Sequence, residues 1–135
     1  MLNIVVPMAG LGSRFSKVGY KDPKPLIPIN QMRMIQLVIK NLTPIQGHRF
    51  IFICQKEHSQ RYELAKKIDE WAPGSKVIEI DGVTEGAACT VLKAIELIDN
   101  DDLLMVSNSD QYIDCSIDNY LGYMDKKNLD GLVMT

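Results

Sequence analysis

The feature that most constrains this chain is an alternation. Short, largely apolar runs at Leu2–Met8, Phe50–Cys54, Val77–Ile80 and Leu103–Val106 are separated by longer stretches with helical spacing. A strand that is apolar on both faces has to be covered on both faces. Strands of that kind that alternate with helices build a mostly parallel sheet, because parallel neighbours need a long crossover.

The helical stretches can be placed one by one. Met34, Ile35, Val38, Ile39 and Leu42 keep one face of a helix from Met32 to Leu42, which Pro44 ends. Ser59 reads as the cap of a helix to Trp71, with Tyr62, Ala65 and Ile68 inward and Pro73-Gly74 as its stop. Ala88, Val91, Leu92, Ile95 and Ile98 mark the clearest helix, Ala87 to Ile98. Ile117, Tyr120, Leu121 and Met124 mark the last, with Ser116 as its cap. Between Ala9 and Pro28, Gly10, Gly12, Gly19, Pro23 and Pro25 are too dense for regular structure and predict one long loop. Gly131–Thr135 reads as the start of a further strand, so the chain is expected to be the front part of a longer protein. The predicted fold class is α/β, a Rossmann-like, mostly parallel sheet with helices on both faces. Residues 1–135 are expected to form part of a single domain, a length that buries a core without disulfide or metal.

Composition removes several function classes. Fifteen Lys+Arg against 17 Asp+Glu leave a net charge of -2 with no basic run, which argues against nucleic acid and against a polybasic membrane anchor. No apolar stretch reaches the ~18 residues of a membrane span. The first residues carry no basic segment ahead of their apolar run, so no signal peptide is expected. Cys54, Cys89 and Cys115 are too few and too scattered for a disulfide framework or a zinc site, and read as buried thiols of a cytoplasmic protein.

Ligands of open parallel sheets bind beyond the carboxyl ends of the strands. The unusual residues of this chain fall there. Ala9-Gly10-Leu11-Gly12-Ser13-Arg14 follows the first strand directly. Such a stretch is either a tight turn or a phosphate cradle, with glycines that let backbone N–H groups approach and an arginine fork for phosphate oxygens. Lys24 follows between Pro23 and Pro25, which stiffen the chain around one cation and favour the cradle. The dinucleotide fingerprint does not fit. Phe15 stands at its third glycine, and Gln55-Lys56 stand where the second strand should end in an acid. After the third strand, Asp81, Gly82, Thr84 and Gly86 form either an ordinary strand-to-helix turn or a slot for a flat base. After the fourth strand comes Ser109-Asp110. Asp110 is either a turn cap or, beside the first loop if the two strands are neighbours, a ligand of Mg²⁺, which takes one or two carboxylates plus phosphate oxygens and water. Asp114 nearby reads as a helix cap, and His48 and His58 as surface residues.

Together these residues resemble the sugar-phosphate nucleotidyltransferase family, which includes glucose-1-phosphate thymidylyltransferases and related cytidylyltransferases. The resemblance rests on Ala9–Arg14, Pro23-Lys24-Pro25-Leu26, the loop with Gly86 and Ser109-Asp110, in the family's order. It spans the chain but only the nucleotide-binding half of a typical member. It implies the nucleotide-diphospho-sugar transferase type of fold. It also implies that Gly10, Leu11, Gly12 and Ser13 hold the triphosphate with Arg14, and that Lys24 neutralises charge between the two substrates' phosphates. Asp81 and Gly86 would lie against the base, where the residues themselves also offer Thr84, and Asp110 would bind Mg²⁺. The chain departs from the family in having Ser109 where members often have Gly, and Asp81 where they often have Gln. The second change bears on base choice, since an acid only accepts hydrogen bonds where an amide also donates.

The implied reaction is transfer of a nucleoside monophosphate from a nucleoside triphosphate to a phosphorylated acceptor, a sugar-1-phosphate by family default, with release of pyrophosphate. Such an enzyme supplies nucleotide sugars for polysaccharide synthesis. Partners would be those two small molecules, with a homo-oligomer left open. One alternative is a metal-dependent glycosyltransferase, which usually carries two acids spaced by one residue where this chain has Ser109-Asp110-Gln111. The other is a nucleotide-binding chain without catalysis.

Overall fold

The computed structural model describes residues 1–9, 28–29, 32–82 and 86–134. Its centre is a fully parallel sheet of four strands: β1 (Leu2–Pro7), β4 (His48–Gln55), β5 (Lys76–Ile80) and β6 (Leu103–Val106). Two short antiparallel strands, β2 (Pro28–Ile29) and β3 (Met32–Arg33), interrupt what the sequence predicts as loop and helix start. The spatial order of the main sheet is β5-β4-β1-β6. The chain therefore builds outward from β1 through β4 to β5, then returns past β1 to add β6 on its other side. That reversal between β1 and β6 is the topological switch point of the fold.

The core follows the strand pleat. Leu2, Ile4 and Val6 of β1 point with Phe50, Phe52 and Cys54 of β4 to one face. There they meet Ile35, Val38, Ile39 and Leu42 of α1 (Met34–Leu42), Leu64 and Ile68 of α3 (Leu64–Trp71), and Ile117 of α6 (Ile117–Lys126). Val5, Ile51 and Ile53 point to the other face, against Ala94 and half-buried Val91, Leu97 and Ile98. Helices cover both faces, as predicted. At the amino end of the sheet, buried Asn3 accepts from Arg49 Nε (3.2 Å) and Nη2 (3.0 Å), and Arg49 Nη2 also donates to the Leu97 carbonyl (3.1 Å). One guanidinium so ties β1 and β4 to the helical layer beyond them.

Helix ends follow local chemistry. The Gln36 side chain accepts from the Arg33 N–H (2.8 Å) at the start of α1, and the Thr43 hydroxyl donates to the Ile39 carbonyl (2.6 Å) at its end. Ser116 caps α6 as predicted, accepting from the Asn119 N–H.

Several expectations are corrected. The second helix begins three residues early, as α2 (Lys56–Tyr62), and breaks at Glu63, whose φ of 51° is left-handed, before α3. Ser59 is therefore no cap. It is buried and donates to Glu79 (2.9 Å), and the break turns Ala65 outward and Leu64 inward. The helix predicted over 87–98 is three pieces: α4 (Ala87–Val91), a 3₁₀ turn (Leu92–Ala94) and α5 (Ile95–Ile98). The tighter turn rotates the face, so Thr90 and Ala94 are buried while Leu92 and Ile95 are 60% and 47% exposed. Among the described strands β6 lies at the sheet edge, and Leu103, Leu104 and Val106 are exposed despite an apolar run that reads as buried. Residues 131–134 form no strand; the Leu132 carbonyl accepts from the Tyr120 hydroxyl instead (2.9 Å). Only Cys54 is a buried thiol, Cys89 and Cys115 being exposed. Among the described residues, no helix is long and apolar enough to cross a membrane.

Candidate functional site

All four strands run the same way, so their carboxyl ends form one edge, and the loops there carry the candidate residues. On β1 the ladder runs past the strand itself. The Met8 N–H donates to the Ile53 carbonyl (2.8 Å), and the next residue, Ala9, is 4% exposed. Its carbonyl accepts from the Gln55 side-chain amide (2.7 Å), at the carboxyl end of β4. The root of the glycine loop is thus fixed by β4. Gly10, Leu11, Gly12, Ser13, Arg14, Lys24 and Thr84 lie outside the described residues.

On the other side of β1, Val5 pairs with Val106, and the Ser107 N–H donates to the Val5 carbonyl (3.0 Å). The condition set by the sequence, that the strands bearing Ala9 and Asp110 be neighbours, is met. Ser109 is buried, and Asp110 is half-buried in the turn that follows. The far end of this loop is held from α1. The Asn41 side chain donates to the Ile113 carbonyl (2.9 Å) and accepts from the Ile113 N–H (2.8 Å). Beside the loop, a cleft of about 410 Å³ opens between Val106, Ser107, Asn108, Gln111, Ile113 and Tyr120. Small-molecule sites begin at volumes of roughly this size.

Asp81 and Gly82 follow β5, two strands from β1, hence about 10 Å from it at the usual strand spacing. Asp81 is exposed, and Gly82 takes a φ of 70°, which only glycine adopts without strain. Gly86 precedes α4, and its carbonyl accepts from both the Thr90 N–H (3.0 Å) and the Thr90 hydroxyl (3.1 Å). A Cβ placed on Gly86 would meet no described atom within 4 Å.

Cys54 lies one residue before Gln55, but burial pushes its thiol up to about 11, against an ordinary 9.0, with a smaller push from Glu79 and an opposing hydrogen bond from Ser59. It stays protonated near neutral pH and is no nucleophile. Among the described residues there is no group of three or more His, Cys, Asp or Glu that could hold a metal by itself. Asp110, as one carboxylate at the sheet edge, fits a Mg²⁺ that draws its remaining ligands from phosphate oxygens and water. Gln55 and Asn41 were not singled out by sequence as site residues. Gln55 enters the sequence reading only as the amide where an acid was wanted, and Asn41 does not enter it.

A switch point between β1 and β6, with the buried Ala9 on one side and Asp110 on the other, lies where open α/β sheets hold their ligands. The sequence profile of the nucleotidyl transferase family matches residues 4–135, and the chain belongs to that family. Among solved structures it is similar to a nucleoside-diphosphate-sugar pyrophosphorylase from Vibrio cholerae RC9, with 26% identity and a TM-score of 0.61 over 79% of this chain and 47% of that one. It is also similar in fold to a nucleotidyl transferase from Methanothermobacter thermautotroptrophicus, with 21% identity and a TM-score of 0.63 over 87% of this chain and 53% of that one. A UDP-glucose pyrophosphorylase from Acinetobacter baumanii shares the fold at 21% identity, with a TM-score of 0.67 over 94% of this chain and 52% of that one. The chain thus spans about half the length of these proteins. A search of curated proteins gave no significant match.

Proposed function

We propose that residues 1–135 are the nucleotide-binding part of a nucleotidyltransferase domain. It transfers a nucleoside monophosphate from a triphosphate to a phosphorylated acceptor, a sugar-1-phosphate, and releases pyrophosphate. The observation that carries this reading is the adjacency of the Ala9 root and the Ser107–Asp110 loop across the β1–β6 switch point. The nucleotide would lie along the carboxyl edge, with its triphosphate over β1 and β6 and its base toward Asp81 and Gly86. The activities of the similar structures, pyrophosphorylases of sugar nucleotides, support the acceptor class.

An oxygen of the acceptor phosphate attacks the α-phosphorus, and the bond from that phosphorus to the bridging oxygen breaks, so the electron pair leaves on pyrophosphate. The attacking group is already an anion and needs no general base. What opposes reaction is charge. Two like charges ~4 Å apart repel by about 4 kcal/mol at an effective dielectric near 20. Arg14 and Lys24 are the chain's answer. Arg14 offers a planar fork to the triphosphate, and Lys24 a point charge between the two phosphates. Gly10, Leu11, Gly12 and Ser13 add backbone donors. Asp110 would hold Mg²⁺, which when bound shields the phosphates and the leaving group. Asp81, Thr84 and Gly86 would face the base. The test is pyrophosphate release from the chain incubated with each common nucleoside triphosphate, Mg²⁺ and a panel of sugar phosphates. Release that depends on both substrates supports transfer. Nucleotide binding with no release leaves a binding chain without catalysis.

A further inference from the structure

We infer that Gln55 is a positioning residue for the triphosphate loop, acting through the Ala9 carbonyl rather than on the nucleotide itself. The inference rests on the nucleotide-site reading above. In dinucleotide-binding sheets, the residue ending the second core strand is an acid that accepts from a ribose hydroxyl. Gln55 stands at that place in this sheet, as the last residue of β4. Its side chain is 6% exposed and turned inward, with Nε2 donating to the Ala9 carbonyl at 2.7 Å. It is therefore engaged with the loop root and not presented to a ribose.

The bond has a specific job. Alternate residues of β1 bond to β4, and that ladder closes with the Met8 N–H on the Ile53 carbonyl. Ala9 is the next residue, buried at 4%, between rungs of that ladder, and the Gln55 side-chain amide gives its carbonyl a partner. A buried carbonyl needs a partner, and the Gln55 amide supplies one from the end of β4. Fixing that carbonyl fixes the peptide plane from which the chain enters Gly10. The residue from which the chain enters the loop is then held in one orientation, which lowers the ordering cost of a phosphate grip that starts there. An acid at this position would accept where a donor is needed, and would set a negative charge beneath a phosphate site.

The experiment uses Gln55→Met, which matches the length and donates nothing, and Gln55→Glu, which keeps the length and at neutral pH only accepts. Binding of each common nucleoside triphosphate, and of inorganic tripolyphosphate, is measured with Mg²⁺ by calorimetry, beside the melting temperature of the ligand-free proteins. Arg14→Ala is run in parallel. The expected result is weakening by about fivefold for Gln55→Met, equal to one net hydrogen bond of ~1 kcal/mol. The factor should be the same for every base and for tripolyphosphate, with a larger loss for Gln55→Glu. A purely structural role would lower the melting temperature and leave the affinities alone, which overturns the inference. Weakening confined to some bases would assign Gln55 to the base and also overturn it. If Arg14→Ala weakens binding while both Gln55 variants bind as wild type, the inference falls and the site reading stands. If Arg14→Ala binds unchanged, the site reading falls and takes the inference with it.

Discussion

Asn41→Leu is the perturbation with the clearest structural magnitude. The Asn41 amide makes two hydrogen bonds to one backbone residue, Ile113, at 2.8 and 2.9 Å, and no other described side chain holds that end of the loop through both groups. Leucine keeps the volume and removes both bonds. Each is worth about 1 kcal/mol net, and the Ile113 groups, being partly buried, regain water only in part, so the loss is about 2–3 kcal/mol. For a chain of this size, each kcal/mol moves the melting temperature by about 4 °C, giving a drop of about 8–12 °C. Asn41→Asp keeps the acceptor for the Ile113 N–H and loses the donor, and should fall between wild type and leucine. Because Asp110 lies three residues from the anchored position, Mg²⁺-dependent nucleotide binding should weaken as well. Calorimetric melting of the three proteins checks the stability, and titration with a Mg²⁺-nucleotide checks the coupling. A leucine variant melting within 2 °C of wild type would refute the claim that this amide holds the loop.

Other outcomes follow from the same structure. Arg49→Met should cost about 2–3 kcal/mol in denaturant unfolding, because buried Asn3, whose Nδ2 already lacks a partner among the described residues, would lose both donors to its Oδ1. A cost below 0.5 kcal/mol would show that water reaches that pocket. Gly86→Val, whose new Cβ meets no described atom within 4 Å, should weaken nucleotide binding at least tenfold if the base lies there; unchanged affinity would move the base elsewhere. The Cys54 thiol, held near 11 when folded against 9.0, keeps its proton in the folded chain while the unfolded chain loses it. Its contribution to stability is therefore complete below pH 9 and declines toward pH 11, so Cys54→Ala should lose stability less steeply than wild type over that window. Parallel curves would contradict the shift.

How far the sequence shows this molecule depends on which forces decide each element. Strands β1 and β4 are plain because buried central strands must be apolar on both faces, whereas the neighbourhood of β1 and β6, a condition in the sequence reading, is set by the sheet order. What escaped was set by tertiary context. An edge strand such as β6 reads like a buried one, since its Leu104 and Val106 differ from core residues only in what lies opposite. The helix over 87–98 reads as continuous because periodicity does not register a 3₁₀ turn, and the break at Glu63 sits in a residue with no turn signature. At the site, Ala9, Asp81, Gly86 and Asp110 were legible from their places after strands. The amides of Gln55 and Asn41 were not, because a hydrogen bond across 46 or 72 residues leaves no local pattern.

The central claim is that one edge of the sheet, at the carboxyl ends of β1, β5 and β6, receives a Mg²⁺-bound nucleoside triphosphate. The direct measurement is the map of backbone amide shifts in the isotope-labelled chain as the preferred triphosphate is added with Mg²⁺. The account predicts large shifts at Met8–Ala9, Asp81–Gly86 and Ser107–Gln111, reduced at the last segment in Asp110→Asn. Shifts gathered instead at Asn3, Arg49 and Leu97, at the opposite end of the strands, would contradict it.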